Sequence, residues 1–553
     1  MRRLPVVGLL LAFAFAWPVA CGSEAVDVGA NDAGPDPVSG DAAPPEAGTS
    51  VPDASLPDAA KSQSPLYDAV QAKASHNSYE RDEPLFDQLV YHRVRALELD
   101  IHNGKRLRPN PVNDFYVYHV DAPLFDSTSC VLLSDCIRSL AAFHAAQPNH
   151  EVVTVFVDVK DAFEAFHTPQ DLDAVLLGIG KTAIFTPKDL LARCPGARTL
   201  RDSVTVPCSP PSLSELSGKL IFALTGGTAC GTDAKLEKYV EGGAENRVGF
   251  IAPETAANCP LSEYPTKKKH VVFLNFEAGD TTVAGDAAKQ RYFTRVYNLN
   301  DTASFARAKS AGAHFLGTNS VNAEQDPWAT TASPLGYPFR CFEGCPDRQE
   351  ATDVFGVEAR GGDLVGAADG VVFAHESAVT QPTVWTAGLS VASSHVDRGA
   401  KGCLMARASL DQGAPFFAVC RPADNDTVRV LRRDAASANV VTVQGTFATD
   451  GKYSSESTFF ARLSVTPQGT TTRVKGEGSI DGTTWVTLDE RTLTSPLPLQ
   501  GVGFAAKAAD ASHALFAGLV RESVGAKERG RPRLVTVEKI GATNGKVFDQ
   551  SVP

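Results

Sequence analysis

The sequence predicts a TIM-type (β/α)8 barrel followed by an all-β sandwich of jelly-roll type. Three observations predict this. From Leu66 to about Ser320, short apolar runs alternate with amphipathic stretches, as strands alternate with crossover helices in a parallel barrel. Over residues 353–522 the helical periodicity fades, and short runs rich in Thr, Val, Ser and Gly are broken by turn residues. Of 553 residues, 43% are hydrophobic and 21% charged, enough for the chain to bury sizeable cores.

The chain opens with Arg2 and Arg3, continues with an almost wholly apolar run from Leu4 to Ala16, and reaches Val19-Ala20-Cys21-Gly22. Residues 1–20 read as a secretory signal, too short for a membrane span. The last four resemble a bacterial lipobox, which implies lipidation of Cys21. Gly22 rather than Asp after that cysteine points to the outer membrane; simple cleavage near Ala20 is the alternative, giving a secreted protein. Residues 22–64 contain no aromatic residue and carry eight acids against Lys61, a net −7 of the chain's −12. Such a segment cannot bury enough apolar surface to order itself, so 21–64 reads as a disordered Asp/Pro/Ala-rich tether. The net charge and a pI near 5.5 argue against a general nucleic-acid binder, which needs a basic face.

The folded part follows in order. Val70 to Ser75, Ala96 to Ile101, Phe115 to Val120 and Val152 to Val159 read as the first four barrel strands, and Lys219 to Thr225, Val271 to Glu277, Phe293 to Tyr297 and His314 to Thr318 as the next four. Leu132 to Ala146, Pro169 to Leu177 and Thr302 to Ala311 read as helices. The barrel domain is expected over 65–350 and the sandwich over 353–522, where Ser479-Ile480-Asp481-Gly482 is a hairpin signal. Residues 523–553 have no assignment.

Four segments carry chemistry: ASHNSY (Ala74 to Tyr79), RALELDIH (Arg95 to His102), YVYHVD with His119, and VVTVFVDVKD with Asp158 and Lys160. On a strand Glu98, Asp100 and His102 share one face, and ionisable groups on an apolar strand are costly unless paired or bound to a cation. In a barrel the carboxyl ends of the strands open onto one mouth, where His76, Asn77, Glu98, Asp100, His119 and Asp158 would converge. Carboxylates with an amide oxygen suit calcium or magnesium, not zinc, and two histidines beside such a cation suit phosphodiester cleavage. The plainer readings are an ion-pair network of Glu98 and Asp100 with Arg95 or Lys105, a strand-end salt bridge between Asp158 and Lys160, and surface positions for His92 and His144. His102 reads as pocket lining.

These segments together, in order and spacing, resemble the calcium-dependent phosphatidylinositol-specific phospholipase C superfamily, closest to its secreted bacterial branch, over roughly residues 66–325. The segment Pro211 to Leu224 is also similar to that branch. The resemblance implies a PLC-like phosphodiesterase barrel, a Ca2+ cofactor ahead of Mg2+, and a phospholipid membrane substrate. It further implies attack of the inositol 2-hydroxyl on phosphorus, releasing diacylglycerol and a cyclic inositol phosphate. By motif position it assigns His76 to the pentavalent phosphorus, and Asn77, Glu98, Asp100 and Asp158 to the calcium. Glu98 would also accept the hydroxyl proton, His119 would be the general acid, and Lys160 would contact phosphate. Asp158 stands where the animal enzymes have Glu, and no inositol-binding Arg and aromatic set is recognisable in the second half. A glycerophosphodiester phosphodiesterase shares a Glu-x-Asp pair but opens with a His-Arg pair that His76-Asn77 does not match.

Lys401 to Val419 and Asp481 to Leu488 resemble concanavalin A-like sandwich modules, which implies a possible glycan or surface ligand. Trp385 and Trp485 are either a sugar-stacking platform or core. A third reading of the whole chain is a catalytically inactive surface adhesin. Of eleven cysteines, Cys21 lies at the export boundary and ten fall into local pairs: 130/136, 194/208, 230/259, 341/345 and 403/420. An oxidising compartment permits five disulfides.

Overall fold

A computed structural model describes residues 64–549 apart from 107, 122–127, 227–233, 258, 260, 265–267, 323–324, 332–336, 343–353, 392–398, 424–426, 445–457, 508–511, 530–533, 535 and 542. The signal, Cys21 and nearly all of the tether lie outside the described residues. Eight parallel strands follow one another around a barrel in chain order: β1 (Val70–Ser75), β2 (Ala96–His102), β3 (Val153–Val159), β4 (Leu220–Thr225), β5 (Phe250–Ile251), β6 (Phe273–Glu277), β7 (Phe293–Tyr297) and β8 (Phe315–Thr318). β8 pairs with β1. Between β5 and β6 the closure is a single parallel bridge, in which the Thr255 N–H donates to the Asn275 carbonyl (2.8 Å) and the Asn275 N–H to the Pro253 carbonyl (3.1 Å).

One of the expected staves changes and another strand takes its place. Phe115 to Val120 is not the third barrel strand: only Tyr116–Val117 is extended, and it pairs antiparallel to the end of β2, while β2 pairs directly with β3. The connection 103–115 carries Pro109 and Pro111 and no helix among its described residues, so these supply no crossover element to bring the chain back parallel. The missing stave is β5, only two residues long between Gly249 and Pro253, too short to show a period. The helices fall as expected because their ends are marked: Thr168 caps Pro169–Leu176 by accepting from Asp171 N, and Asp301 caps Thr302–Ala311, which ends at Gly312 in a left-handed conformation.

The period of two along each strand sorts the side chains. Leu97, Leu99, Ile101, Val153, Val155 and Val157 face the surrounding helices. Tyr67, Phe156, Phe273, Phe293 and Phe315 fill the interior, with ring centroids 4.8 Å apart for Tyr67–Phe293 and Phe273–Phe293. Two residues further along the same strands the inward positions become Asp158, Asn275 and Arg295, and two further still Lys160, Glu277 and Tyr297. The apolar floor thus gives way to a polar mouth at the carboxyl ends.

The second half is a sandwich of two antiparallel sheets. One runs 486–493, 471–479, 460–468, 383–391, 512–523, 354–360, 544–549, and the other 441–444, 429–433, 416–422, 401–407, 499–505, 371–376, 536–540. The sandwich therefore runs past residue 522: Thr536–Ile540 and Asn544–Asp549, unassigned from sequence, supply an edge strand to each sheet. Trp385 is fully buried between the sheets and donates to Gln500 Oε1 at 3.2 Å, so it forms no platform with Trp485, which packs against Arg462 beside the barrel. Three disulfides join Cys130–Cys136, Cys194–Cys208 and Cys403–Cys420, the last across two paired strands. Cys259 and Cys341 are disulfide-bonded too, and their expected partners Cys230 and Cys345 lie outside the described residues.

Ser62–Pro553 is one compact unit. The helix after β1, α1 (Leu85–Val90), packs on strand 383–391 of the sandwich. Phe86 stacks on Phe459 with centroids 4.7 Å apart. Asp87, 3% exposed, receives both Arg421 terminal nitrogens (2.5 and 2.7 Å) and the Ser390 hydroxyl (2.8 Å). At a second contact, the end of helix α2 (Leu133–Ala146), a Cβ on Gly518 would lie 2.5 Å from the Ala146 carbonyl oxygen, and Gly518 has φ +58. Removing one partner of a buried ion pair strands the other, so Arg421→Met should lower the stability of the full chain by about 3–5 kcal/mol. Urea denaturation measures this; a loss below about 1 kcal/mol would mean that the pair does not hold the two halves together.

Candidate active site

The mouth gathers most of the residues singled out from the sequence. Register places Asp100 beside Asp158 and Ala74 beside Ala96, which brings His76 next to Glu98. One oxygen each from Glu98, Asp100 and Asp158 lie within 4.8 Å of one another. Glu98 is 4% and Asp100 1% exposed. Each of the two is held differently.

Glu98 is paired by an arginine, as the plainer reading supposed, but not by Arg95 or Lys105. Arg95 points to the outer face and pairs with Glu151 at 2.7 Å. The partner is Arg295 on β7, fully buried, 2.7 Å from Glu98 Oε2. Arg295 donates to Asn275 Oδ1 (3.1 Å) and lies over the Phe156 ring at 4.9 Å, which fixes its plane. Glu98 also accepts the Asn77 backbone N–H at 2.9 Å, and its own N–H donates to Ser78 Oγ. Burial works against ionisation of Glu98, but Arg295, with His76 and the Asn77 N–H, holds the carboxyl down at about 2. Asp100 goes the other way: burial, then Glu98 and Asp158, push it well above the usual carboxylate range.

Lys160 closes the cluster. Its ammonium lies 2.6 Å from Asp158 Oδ2 and 3.0 Å from Asp100 Oδ2, so the strand-end salt bridge is real and extends to a second carboxylate. Burial lowers its proton affinity, yet the two aspartates raise it above the ordinary lysine value.

His76 is fixed on two sides. Its Nδ1 lies 2.9 Å from Asn319 Oδ1 and its ring stacks on Tyr297 at 5.7 Å, which leaves Nε2 3.7 Å from Glu98. Burial is the main reason its pKa lies below the ordinary histidine value. Asn77 has φ 46, a left-handed conformation that Asn tolerates, and its side-chain amide donates to Glu80 Oε2 at 3.5 Å. Glu80 in turn stands 3.8 Å from Nδ1 of His119, which is half-exposed and sits beyond the short strand 116–117 rather than on a barrel strand.

Four further histidines of the barrel take structural positions. His102 stacks on Tyr118 at 3.9 Å and faces Asp161. His92 is buried at 4% exposure, not on the surface, because the turn after α1 is covered; burial pushes its pKa down to about 3. His144 is half-buried against His150 at 3.1 Å. His314 bridges Asp68 and Thr294.

Sequence reading missed Arg295, Tyr297, Asn319 and Glu254, whose carboxylate accepts from the Tyr297 hydroxyl. The signal for two of them was present: in FTRVY, Phe293, Arg295 and Tyr297 alternate on one strand face, and an arginine on the inward face of a barrel strand needs a carboxylate partner.

The donor set fits a hard cation. Apart from the ion contact to Lys160, both oxygens of Asp100 and Oδ1 of Asp158 are buried without a hydrogen bond. Gly226 keeps the space beside them open, since a Cβ there would fall 2.9 Å from Asp158 Oδ1 and 2.7 Å from the Val159 carbonyl oxygen. Oxygen donors of this kind suit calcium or magnesium.

No protein-family model matches the sequence. No curated protein matches it either. Among solved structures, the chain is similar to a calcium-dependent phosphoinositol-specific phospholipase C from a Gram-negative bacterium, Pseudomonas sp., at 22% identity over 50% of this chain and 96% of that one, with a TM-score of 0.43. It is similar to the Ca2+-dependent phosphatidylinositol-specific phospholipase C of Streptomyces antibioticus at 20% identity, 47% and 96% coverage and a TM-score of 0.39. A glycerophosphodiester phosphodiesterase from Parabacteroides distasonis matches at 10% identity, 47% and 96% coverage and a TM-score of 0.28. Likeness at this level says nothing by itself about activity, which has to be read from the side chains of the mouth.

A buried carboxylate with a depressed pKa adds stability above its unfolded value of 4.5, and that stability is lost as pH falls toward about 2. Without Arg295, Glu98 would be buried unpaired and would favour its protonated form. In chelator, Arg295→Met should therefore be on the order of 3 kcal/mol less stable than wild type at pH 7. The deficit should shrink by more than half at pH 4. Equal deficits at both pH values in urea denaturation would show that Glu98 is not what Arg295 holds.

Proposed function

We propose that the chain is a calcium-dependent phosphodiesterase that cleaves phosphatidylinositol-type phospholipids to diacylglycerol and a cyclic inositol phosphate. The observation that carries this reading is the carboxylate cluster of Glu98, Asp100 and Asp158 at the mouth of a parallel barrel, with buried unbonded oxygens and a histidine on each side. Glu98, Asp100, Asp158 and the Asn77 amide oxygen would hold the cation. When bound, it would acidify a coordinated hydroxyl and neutralise charge on the phosphate oxygens.

The chain's own residues do the rest. Glu98 stays ionised across the physiological range and accepts the proton of the attacking 2-hydroxyl. His76, its Nδ1 held by Asn319, presents Nε2 to the phosphate; the anion raises the proton affinity of the ring, Nε2 takes a proton from solvent, and it then donates to a phosphate oxygen. His119, half-exposed at the rim, reaches the leaving lipid oxygen and donates its proton. Tyr297 provides an aromatic wall beside His76, a place for the inositol ring, while Arg295 behind it stays paired to Glu98. Because the attacking hydroxyl belongs to the substrate, no protein nucleophile is needed. The disulfides suit export to an oxidising compartment, where Cys21 would anchor the chain and the acidic tether would space the barrel from the membrane.

The test is hydrolysis of phosphatidylinositol and of glycerophosphoinositol in calcium or in chelator. Cleavage of the lipid in calcium alone is expected; cleavage of only the glycerol diester would overturn the reading. His119→Ala should lower turnover by about 100-fold or more while the full chain keeps its calcium-induced rise in melting temperature. Asp100→Asn should abolish that rise. Loss of the rise in His119→Ala would put His119 among the metal ligands instead.

A further inference from the structure

Arg295 and Lys160 are the two cations paired with the clustered carboxylates of Glu98, Asp100 and Asp158, and they are not equivalent. Arg295 is fully buried, bonded to Asn275 and flanked by the Phe156 and Tyr297 rings at 4.9 and 5.2 Å. It has nowhere to go. Lys160 has a side chain 32% exposed on a flexible four-carbon stem, and only its ammonium is engaged, by Asp100 and Asp158. Its backbone is pinned: the Lys160 N–H donates to the Ile101 carbonyl (3.1 Å), and Lys235 Nζ holds the carbonyls of Val159 (2.6 Å) and Lys160 (3.2 Å). Movement at this position is therefore confined to the side chain.

The oxygens that Lys160 contacts belong to the same two aspartates that a hard cation would need. A divalent ion and an ammonium cannot both sit against Asp100 Oδ2 and Asp158 Oδ2, since each would lie within bonding distance of the same atoms and repel the other. Left without any cation, two adjacent buried carboxylates would repel each other and lack hydrogen bonds.

From this we infer that Lys160 is a tethered counter-ion: it occupies the cation position when the metal is absent and is displaced into the mouth when the metal binds. The inference rests on the reading of the acidic cluster as a calcium site and deepens it. Docked Lys160 keeps the cluster folded before the metal arrives and lowers apparent calcium affinity by the inverse of one minus the fraction of molecules in which it is docked. If that fraction is about nine in ten, the apparent affinity falls about tenfold. Displaced Lys160 carries its charge toward the open mouth, where a phosphate would lie, so one residue serves two anions in turn.

Two measurements on the full chain test this. The first is trace acetylation with acetic anhydride, read by peptide mass spectrometry, in chelator and in saturating calcium chloride. Lys160 labelling should rise at least about fivefold with calcium, while the buried Lys73 stays unlabelled. The second is the calcium dependence of the melting temperature. Lys160→Met should melt lower than wild type in chelator and reach half its calcium response at about one-tenth the calcium concentration, and Lys160→Arg should restore the wild-type midpoint. If calcium stabilises the wild type but leaves Lys160 labelling and the Lys160→Met midpoint unchanged, the counter-ion role is overturned and the calcium site stands. If calcium stabilises neither protein, the calcium site itself is wrong and the inference falls with it.

Discussion

The mouth of this barrel depends on the ion pair between Arg295 and Glu98. Three carboxylates within a few ångströms, two of them nearly inaccessible to water, would not remain together on their own. Arg295 removes one charge from that problem permanently, because its guanidinium is walled in by rings and by Asn275. With Glu98 so neutralised, the remaining pair of aspartates is served by a single cation, Lys160. The geometry thus divides the site into a buried half, Arg295–Glu98–His76, and a half, Asp100–Asp158–Lys160, whose cation is partly exposed.

The buried half is supported from outside the barrel. Ser78 links β1 to β2 by accepting the Glu98 N–H, and the Ser78 carbonyl is held by Gln88 of α1 at 2.7 Å. The next residue back, Asp87, is clamped by Arg421 and Ser390 of the sandwich. A chain of hydrogen bonds thus runs from the sandwich to the loop that carries His76 and Asn77. The sandwich is in this sense a wall of the barrel rather than a module hung from it, and its buried Trp385 belongs to its own core.

How much of this was legible in the sequence follows from the range of the forces involved. The alternation in Ala96 to His102 and in Val152 to Val159 was readable because a strand apolar on one side and polar on the other must repeat every two residues. The helices at Pro169 and Thr302 were readable because their caps are local. β5 was not, being two residues long and held by its neighbours, and Tyr116–Val117 took the wrong role because its pairing direction depends on the connection, not on its own residues. The edge strands at 536–540 and 544–549 are polar and are extended only because a sheet edge was available to them.

The sequence by itself determined the chemistry on offer: His76, Asn77, Glu98, Asp100, His119, Asp158 and Lys160 stand in short segments whose spacing on β1, β2 and β3 already sends most of them to one end of the barrel. Only the tertiary structure decided what each group faces. Glu98 and Arg295 are 197 residues apart in the chain, Asp87 and Arg421 334, and His76 and Asn319 243. Partners that distant are chosen by barrel closure and by the packing of the sandwich, because a local sequence pattern fixes which face a side chain takes but not which strand comes round to meet it.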